Sequence, residues 1–370
     1  MKKNNAVFVV IILIIFMLAF TISVSGAMSW KGLETEKFQI YYPEGYQKDA
    51  EQTLFFLEKY YSQVFDITGN SRNFKTQIVV EDTGLLTNGF ANSLKTQVNV
   101  FTNNPLTSSI LSATENWYRL VGVHELTHIA QMKNSSGKAV VPVRLFGELF
   151  SPNVHVPLWV LEGITVYNES QLSDDSGRLN DGYYNAIIAS KAANNKLPNI
   201  HETGYSHNHF PLGQWYNYGG VFFSYLAREY GEDKLTQFFR EYGSYYWAPY
   251  TSSLFPAIGF DKAAKEVYGK TWNQLFREWK NNATRKYQDW QQPGVKITDN
   301  TNRITGINLI NNKLYYFKHK VLASGPYNYN SKYSLIEFDL ESETEKVVLE
   351  TTATPYNTIK KINNSIYYSL

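Results

Sequence analysis

The sequence contains no cysteine among its 370 residues. This absence excludes a disulfide-stapled domain and a lipoprotein held through a modified cysteine. Stability must therefore come from a packed core, and a chain of this length with 43% hydrophobic residues can form one. The same length predicts roughly two or three domains.

The sequence also lacks a large excess of either charge. The formal net charge is +2, and the sequence has no long run of lysine and arginine. Nucleic acid is therefore not an expected partner. Aromatic residues, in contrast, make up 16% of the chain. We interpret them first as strand faces and core, because aromatic content alone does not identify a ligand.

The first 27 residues have the pattern of a secretory signal. Lys2 and Lys3 precede an apolar stretch at residues 6–20, and small residues follow at 25–27. Residues 6–24 are also close to the minimum length of a membrane span, so an uncleaved N-terminal membrane anchor is the alternative. We favour the cleaved signal. In both cases we expect the rest of the chain outside the cytoplasm, secreted or in the cell envelope.

Residues 33–291 have the pattern of one mixed domain. Hydrophobic alternation predicts strands at 37–42, 75–80 and 96–101, and helical spacing predicts a helix at 47–67. The sequence after residue 157 is predicted to be helical up to a Pro-Gly boundary at 293–294. The expected fold class is α+β, with a small N-terminal mixed sheet and a helical C-terminal half.

Residues 295–370 change to a strand-rich pattern. The segment Ile310-Asn-Asn-Lys-Leu-Tyr-Tyr316 recurs, with conservative changes, at residues 362–368. A period of 52 residues in strand-rich sequence predicts the first blade or blades of an all-β propeller, with chance similarity as the alternative. A propeller ring needs about four blades or more, so we expect this one to be incomplete here.

The motif His-Glu-x-x-His at residues 124–128 carries the strongest chemical signal. On a helix, His124 and His128 lie one turn apart, so both imidazoles can reach one cation. Glu125 lies one residue round from the first ligand, where a general base must stand. A capping box at Ser112 and Glu115 and an apolar stripe support the helix. We therefore predict a site for one Zn²⁺ ion.

The segment at residues 157–169 supplies a third ligand. It begins with proline and reads as a helix, with Glu162 among Trp159, Leu161, Ile164 and Val166. A carboxylate in such surroundings needs a strong partner, and a metal ion is one. Two histidines and one glutamate leave a position open for water, as in catalytic rather than structural zinc sites.

These motifs resemble those of the gluzincin metallopeptidases. More closely, they resemble the bacterial peptidase MA-like domains that precede a TolB-type propeller. In that family the His-Glu helix is followed by motifs that read here as Arg144-Leu-Phe-Gly147, Ser151-Pro-Asn153 and Pro157-Leu-Trp-Val-Leu-Glu-Gly163. The resemblance covers about residues 33–290. It implies a zincin-like fold, zinc bound by His124, His128 and Glu162, and Glu125 as general base.

The resemblance also implies an electrophilic residue. In the aminopeptidase branch of gluzincins, the tyrosine of a Tyr-x-x-Gly pattern stabilises the tetrahedral oxyanion. Tyr216 takes that place here, with Tyr218 as the second candidate and a core role for both as the alternative. The Gly-x-Met-Glu-Asn exopeptidase motif is not found, which favours an endopeptidase. Val166 stands where a carboxylate often orients a zinc histidine.

Two further sets of residues are candidates for the cleft. We predict that residues 96–101 form an edge strand whose Val98, Asn99 and Val100 pair with an extended substrate. An ordinary shielded edge is the alternative. The other histidines of this half are predicted to have surface or capping roles rather than to bind a second ion. They are His155, His201, His207 and His209.

The sequence therefore predicts an exported zinc metallopeptidase that acts on a peptide or protein substrate. One alternative is a non-catalytic binding protein whose propeller holds a cell-envelope partner, with the zincin domain as scaffold. The intact Glu125 argues against it, because a scaffold has no need of a base beside the metal. A second alternative is a zinc hydrolase of a non-peptide amide or ester.

Overall fold

The structure is a computed structural model. It describes residues 29–84, 86–105, 111, 114–204, 213–248, 259–290, 297, 303–325, 328–353, 355, 359–363 and 365–368. The predicted signal or anchor at residues 1–27 lies outside these ranges. None of the helices described combines the length and the apolarity that a membrane crossing requires.

The N-terminal part forms a five-stranded mixed sheet in the order β1-β2-β3-β5-β4. The three inner strands are parallel to one another, and β1 and β4 run antiparallel at the two edges. The strands are β1 (Trp30–Glu34), β2 (Phe38–Pro43), β3 (Thr76–Glu81), β4 (Gly89–Asn92) and β5 (Gln97–Phe101).

The predicted edge strand is not the edge. Strand β5 pairs with β3 on one side and with β4 on the other. Val98, Asn99 and Val100 are buried, and their backbone groups already serve these two neighbours. They cannot also pair with a substrate, so that prediction was wrong. The sequence did not predict β4, since four residues with one glycine give little strand signal.

Two helices pack on this sheet, α1 (Gln47–Thr68) and α2 (Trp117–Met132). Gly69 ends α1 in the left-handed conformation, with φ of 67°. The start of α2 differs from the predicted capping box. Its N-cap is Asn116, whose side chain accepts a hydrogen bond of 3.1 Å from the backbone N–H of Arg119.

The helical half confirms the expected division of the fold. Seven helices follow α2 among the described residues: α3 (Val140–Phe146), α4 (Leu158–Glu169), α5 (Gly182–Ala193), α6 (Gln214–Tyr230), α7 (Glu232–Gly243), α8 (Phe260–Tyr268) and α9 (Trp272–Tyr287). Six of them, α4 to α9, share an aromatic core in which the Trp272 ring stacks on Phe260 at 5.1 Å and meets Phe238 edge-on at 4.7 Å. This core fixes α4 and α6, which face α2.

Helices α4 and α6 cross at backbone contact. A Cβ placed on Gly163 would lie 2.7 Å from the carbonyl carbon of Gly219, and one on Gly219 would lie 2.3 Å from the carbonyl oxygen of Trp159. Only glycine fits at both positions. The crossing brings Glu162, beside Gly163, close to the start of α6, where Tyr216 lies.

The strand-rich part contains a four-stranded antiparallel sheet of β6 (Arg303–Ile310), β7 (Lys313–Gly325), β8 (Asn328–Asp339) and β9 (Thr344–Thr351), and a hairpin of β10 (Ile359–Ile362) and β11 (Ser365–Tyr368). Asn311 and Asn312 in the first copy of the repeated heptad, and Asn363 in the second, all have positive φ. Both copies therefore contain a tight turn. The described strands form no closed ring, and the propeller remains a prediction.

Candidate metal centre

His124, His128 and Glu162 lie together in the structure, as the sequence predicts. The Nε2 atoms of His124 and His128 lie 3.4 Å and 3.2 Å from the same oxygen, Oε2 of Glu162. One ligand atom from each residue falls within 4.8 Å of the others, and all three residues are buried. Helix α2 therefore supplies two nitrogens and α4 one oxygen to a single point.

The protonation of His124 shows that positive charge is needed between these ligand atoms. Its Nδ1 atom lies 2.7 Å from Oε2 of the fully buried Glu169. Since a carboxylate only accepts hydrogen bonds, Nδ1 carries the proton and donates it. In the neutral ring, Nε2 then directs a lone pair at Glu162, whose facing oxygen has no hydrogen-bond partner. Two acceptors at this distance require a cation or an additional proton between them.

The pKa shifts of His124 and Glu162 also favour positive charge at this point. Burial lowers the pKa of His124, but the neighbouring carboxylates of Glu162 and Glu169 outweigh this and raise it to about 9. Burial raises the pKa of Glu162, but the nearby His128 and His124 outweigh burial and hold it well below the usual range. A buried site that prefers positive charge, with an N,N,O donor set, fits a divalent transition metal such as zinc.

Glu125 lies in the same cleft, beside the three ligands but not among them. The cleft has a volume of about 300 Å³. Burial raises the pKa of Glu125, and the nearby His124 and His128 oppose that shift. A carboxylate with a raised pKa that borders a cation site has the properties of a proton acceptor.

The structure supplies the carboxylate that the sequence left unassigned. Val166 is buried among apolar groups, and Glu169, the last residue of α4, bonds to His124 instead. Arg178 reaches the same carboxylate, with its Nη1 atom 3.4 Å from Oε2 of Glu169. Glu169 lies seven residues after Glu162, which is two helical turns, so both carboxylates share one face of α4. That spacing is the signal by which the sequence could have identified it.

Tyr216 lies at the cleft and Tyr218 does not. The Tyr216 ring centroid is 6.2 Å from that of His124, and the guanidinium of Arg178 lies 4.8 Å above the ring. Burial raises the pKa of Tyr216 above its usual value, so the hydroxyl keeps its proton. Tyr218 is 1% exposed and packs edge-on against Trp279, which makes it a core residue.

The edge strand β4 forms one wall of the cleft. Asn88, Gly89, Phe90 and Ala91 line the cavity that His124 and Glu125 also line. Gly89 is pressed against α2, because a Cβ on it would lie 2.4 Å from Cγ2 of Val121 and 3.2 Å from Cγ of Glu125. The sheet edge therefore runs directly beside the proposed base.

The other predicted histidines lie apart from this group. His155 is half-buried, and its Nε2 atom lies 2.7 Å from the carbonyl oxygen of Leu149. His201 is exposed, and its backbone N–H donates to Asn199. His207 and His209 lie outside the described residues. The group of His124, His128 and Glu162 is the one cluster of metal-ligating type in the described ranges.

Comparison with known proteins adds a similarity to solved structures. No protein family model and no curated protein matches the chain. Among solved structures, the chain is similar to an aminopeptidase N family protein from Idiomarina loihiensis, with 13% sequence identity and a TM-score of 0.40. The match covers 88% of this chain and 66% of the other, so this chain spans just under two thirds of that protein's length. A similarity of this size carries no argument about function.

Proposed function

We propose that the chain is a zinc-dependent peptidase in which His124, His128 and Glu162 hold one Zn²⁺ ion. The observation that carries this proposal is that two imidazole nitrogens face one buried carboxylate oxygen beside a free carboxylate, Glu125, in an open cleft. When bound there, zinc supplies Lewis acidity toward water and toward the scissile carbonyl. The signal-like residues 1–27 support an exported protein, and that location is part of the proposal.

Glu125 is the proposed general base. It takes a proton from the attacking water and delivers it to the nitrogen of the leaving amine. The raised pKa of its buried carboxyl favours both transfers, because it binds the proton more readily than an exposed glutamate does. Glu169 keeps His124 in the tautomer whose Nε2 atom is free to bind the ion.

Tyr216 is the proposed oxyanion donor. Its protonated hydroxyl can donate a hydrogen bond to the carbonyl oxygen as negative charge develops there, a contribution that can reach about 3 kcal/mol. The cation of Arg178 over the ring restrains the side chain in the cleft. The positive charge of Arg178 also opposes the rise in the pKa of this hydroxyl.

Strand β4 replaces β5 as the proposed substrate-binding edge. It is the last strand of the sheet and lines the cleft. An extended peptide can add to such an edge through backbone hydrogen bonds, which hold a chain without requiring its terminus. This supports cleavage within a chain, in agreement with the missing exopeptidase motif, and makes endopeptidase activity part of the proposal.

The test is a matched set of variants of the full chain, assayed for bound zinc and for cleavage of casein. Glu125→Gln should keep zinc and lose about 10²- to 10⁴-fold in kcat. Glu162→Gln should lose zinc and activity together, and Glu278→Gln, in an exposed ion pair, should change neither. Wild-type cleavage by Glu125→Gln would contradict the assignment.

The same measurements separate the two alternatives. A non-catalytic binding protein would hold zinc and cut no member of a peptide library. A zinc hydrolase of non-peptide amides or esters would also leave peptides intact, but would hydrolyse small ester or amide probes in a Glu125-dependent way.

A further inference from the structure

The segment that packs on the C-terminal end of α2 carries an apolar patch. Four large apolar side chains within nine residues are more than half exposed: Val141 60%, Leu145 70%, Phe146 64% and Leu149 54%. We call these four residues the apolar patch. Single exposed apolar residues are ordinary, but four of them in one short segment mark a candidate interaction surface.

A half-buried ion-pair network fixes the position of the segment that carries the apolar patch. Glu148 lies inside the patch segment, and its carboxylate accepts from Arg72 at 2.9 Å and 3.0 Å and from Lys133 at 2.7 Å. The hydroxyl of Ser151 donates to the carbonyl oxygen of Met132 at 2.6 Å. Both contacts fix the segment to the end of α2, so its apolar side chains stay in solvent although burial would stabilise them.

The exposed charge on the segment that carries the apolar patch is positive. Lys138 and Arg144 are exposed on the same segment. Glu148 is the one acidic residue between positions 137 and 158, and its charge is neutralised by Arg72 and Lys133. Apolar side chains interleaved with exposed basic residues match the interface of a bilayer that contains anionic lipids.

The chain also brings this domain close to a membrane if its N-terminal segment is retained. The apolar stretch ends at Val24, and the described structure begins at Ser29. Five extended residues span at most about 18 Å. A domain held at that distance lies next to the headgroups.

We propose that the apolar patch is a membrane-docking surface that inserts between the headgroups of an anionic bilayer. Insertion of Leu145, Phe146 and Leu149 removes their apolar surface from water, while Lys138 and Arg144 meet lipid phosphates. The proposal is independent of the chemistry at the metal centre.

The test uses the absence of cysteine in the native chain. Leu145→Cys in the full chain takes a single environment-sensitive nitrobenzoxadiazole label, and Phe55→Cys, at an exposed aromatic on α1 (60% exposed), is the matched control. On vesicles of equal phosphatidylglycerol and phosphatidylcholine, the label at 145 should shift to shorter wavelength and be quenched by nitroxide-labelled acyl chains. The label at 55 should do neither.

Charge variants test the proposed recognition. In the Leu145→Cys background, Lys138→Gln and Arg144→Gln should each lower the ratio of docked to undocked protein by about fivefold. With pure phosphatidylcholine vesicles, the wild-type charges should give the same weakened signal as a variant that carries both substitutions gives on anionic vesicles. Leu149→Cys repeats the measurement at a second site, and zinc content with the thermal melting temperature shows that each variant is folded.

Four results would overturn the proposal. The labels at 145 and 149 could stay unchanged on anionic vesicles, or the label at 55 could respond equally. A response without lipid that grows with protein concentration would assign the patch to a second copy of the chain. A response to casein without lipid would make it part of the substrate cleft.

Discussion

His124 donates a hydrogen bond through Nδ1 to Oε2 of Glu169, two turns beyond Glu162 on α4, over a distance of 2.7 Å. One helix thus holds both the carboxylate that faces the imidazole Nε2 atoms and the carboxylate that fixes one of those rings. Since Glu169 is fully buried and its pKa is lowered by Arg178 and His124 against the effect of burial, it stays ionised. The His124 ring therefore has one tautomer and one orientation.

We expect Glu169→Gln to weaken zinc binding by about 10- to 100-fold. The amide keeps the size of the side chain but removes the charge that strengthens His124 as a ligand, and it leaves Arg178 without its carboxylate. Competition with a chelating dye measures the affinity, and thermal melting reports the effect on folding. Glu278→Gln is the control. An unchanged affinity in folded Glu169→Gln would refute the role of this carboxylate.

Tyr216→Phe should lower kcat by about 10²-fold, since an oxyanion donor contributes about 3 kcal/mol at most in comparable sites. Zinc content should stay at the wild-type level, because Tyr216 is not a ligand, and KM should change little. Tyr218→Phe is the matched control, two residues away in the core, and should retain activity. The opposite pattern, with activity lost in Tyr218→Phe alone, would exchange the two assignments.

Gly89→Ala should impair catalysis while zinc stays bound. The new methyl group would meet Val121 and Glu125, so β4 must move away from α2 by several tenths of an ångström or more. Steady-state kinetics on a peptide substrate should show a fall in kcat/KM of at least tenfold. Gly182→Ala, where a Cβ meets nothing within 4 Å, is the control. Equal kinetics for the two variants would show that β4 does not hold the substrate.

The contribution of Glu148 to stability should depend on pH. Burial raises its pKa, but Arg72 and Lys133 outweigh burial, so the folded-state pKa lies below the usual value of 4.5. The ion pairs therefore stabilise the folded state fully above pH 4.5, and this is lost as pH falls through the lower folded-state pKa. Urea unfolding should show Glu148→Gln less stable by about 2 kcal/mol at pH 7. The difference should shrink below pH 4.5, and a constant difference would contradict this.

Much of the site was predictable because its ligands follow local rules. His124 and His128 are one helical turn apart, and Glu162 is a carboxylate in an apolar helix, so a short sequence window identifies each. The long helix Gln47–Thr68 and its end at Gly69 could likewise be predicted from neighbouring residues. Such signals depend on a few neighbouring residues and not on contacts with distant segments.

What the sequence did not show depends on contacts between distant segments. The position of β5 inside the sheet follows from β4, a strand of four residues whose role is set by the fit of Gly89 against Val121. Glu169 bonds to His124 across 45 positions of the sequence. Tyr216 and Tyr218 have similar local sequence, and only the packing of α6 against Trp279 assigns one to the cleft and the other to the core.

The direct backbone contact between Gly163 and Gly219 limits how the two helices can move. Helices that touch through their backbones have no side chains that can change rotamer and let them slide, so α4 and α6 move as one body. Glu162 and Tyr216 must then keep their spacing during turnover. Any widening of the cleft has to occur on the opposite wall, where β4 meets α2, because α4 and α6 form its rigid side.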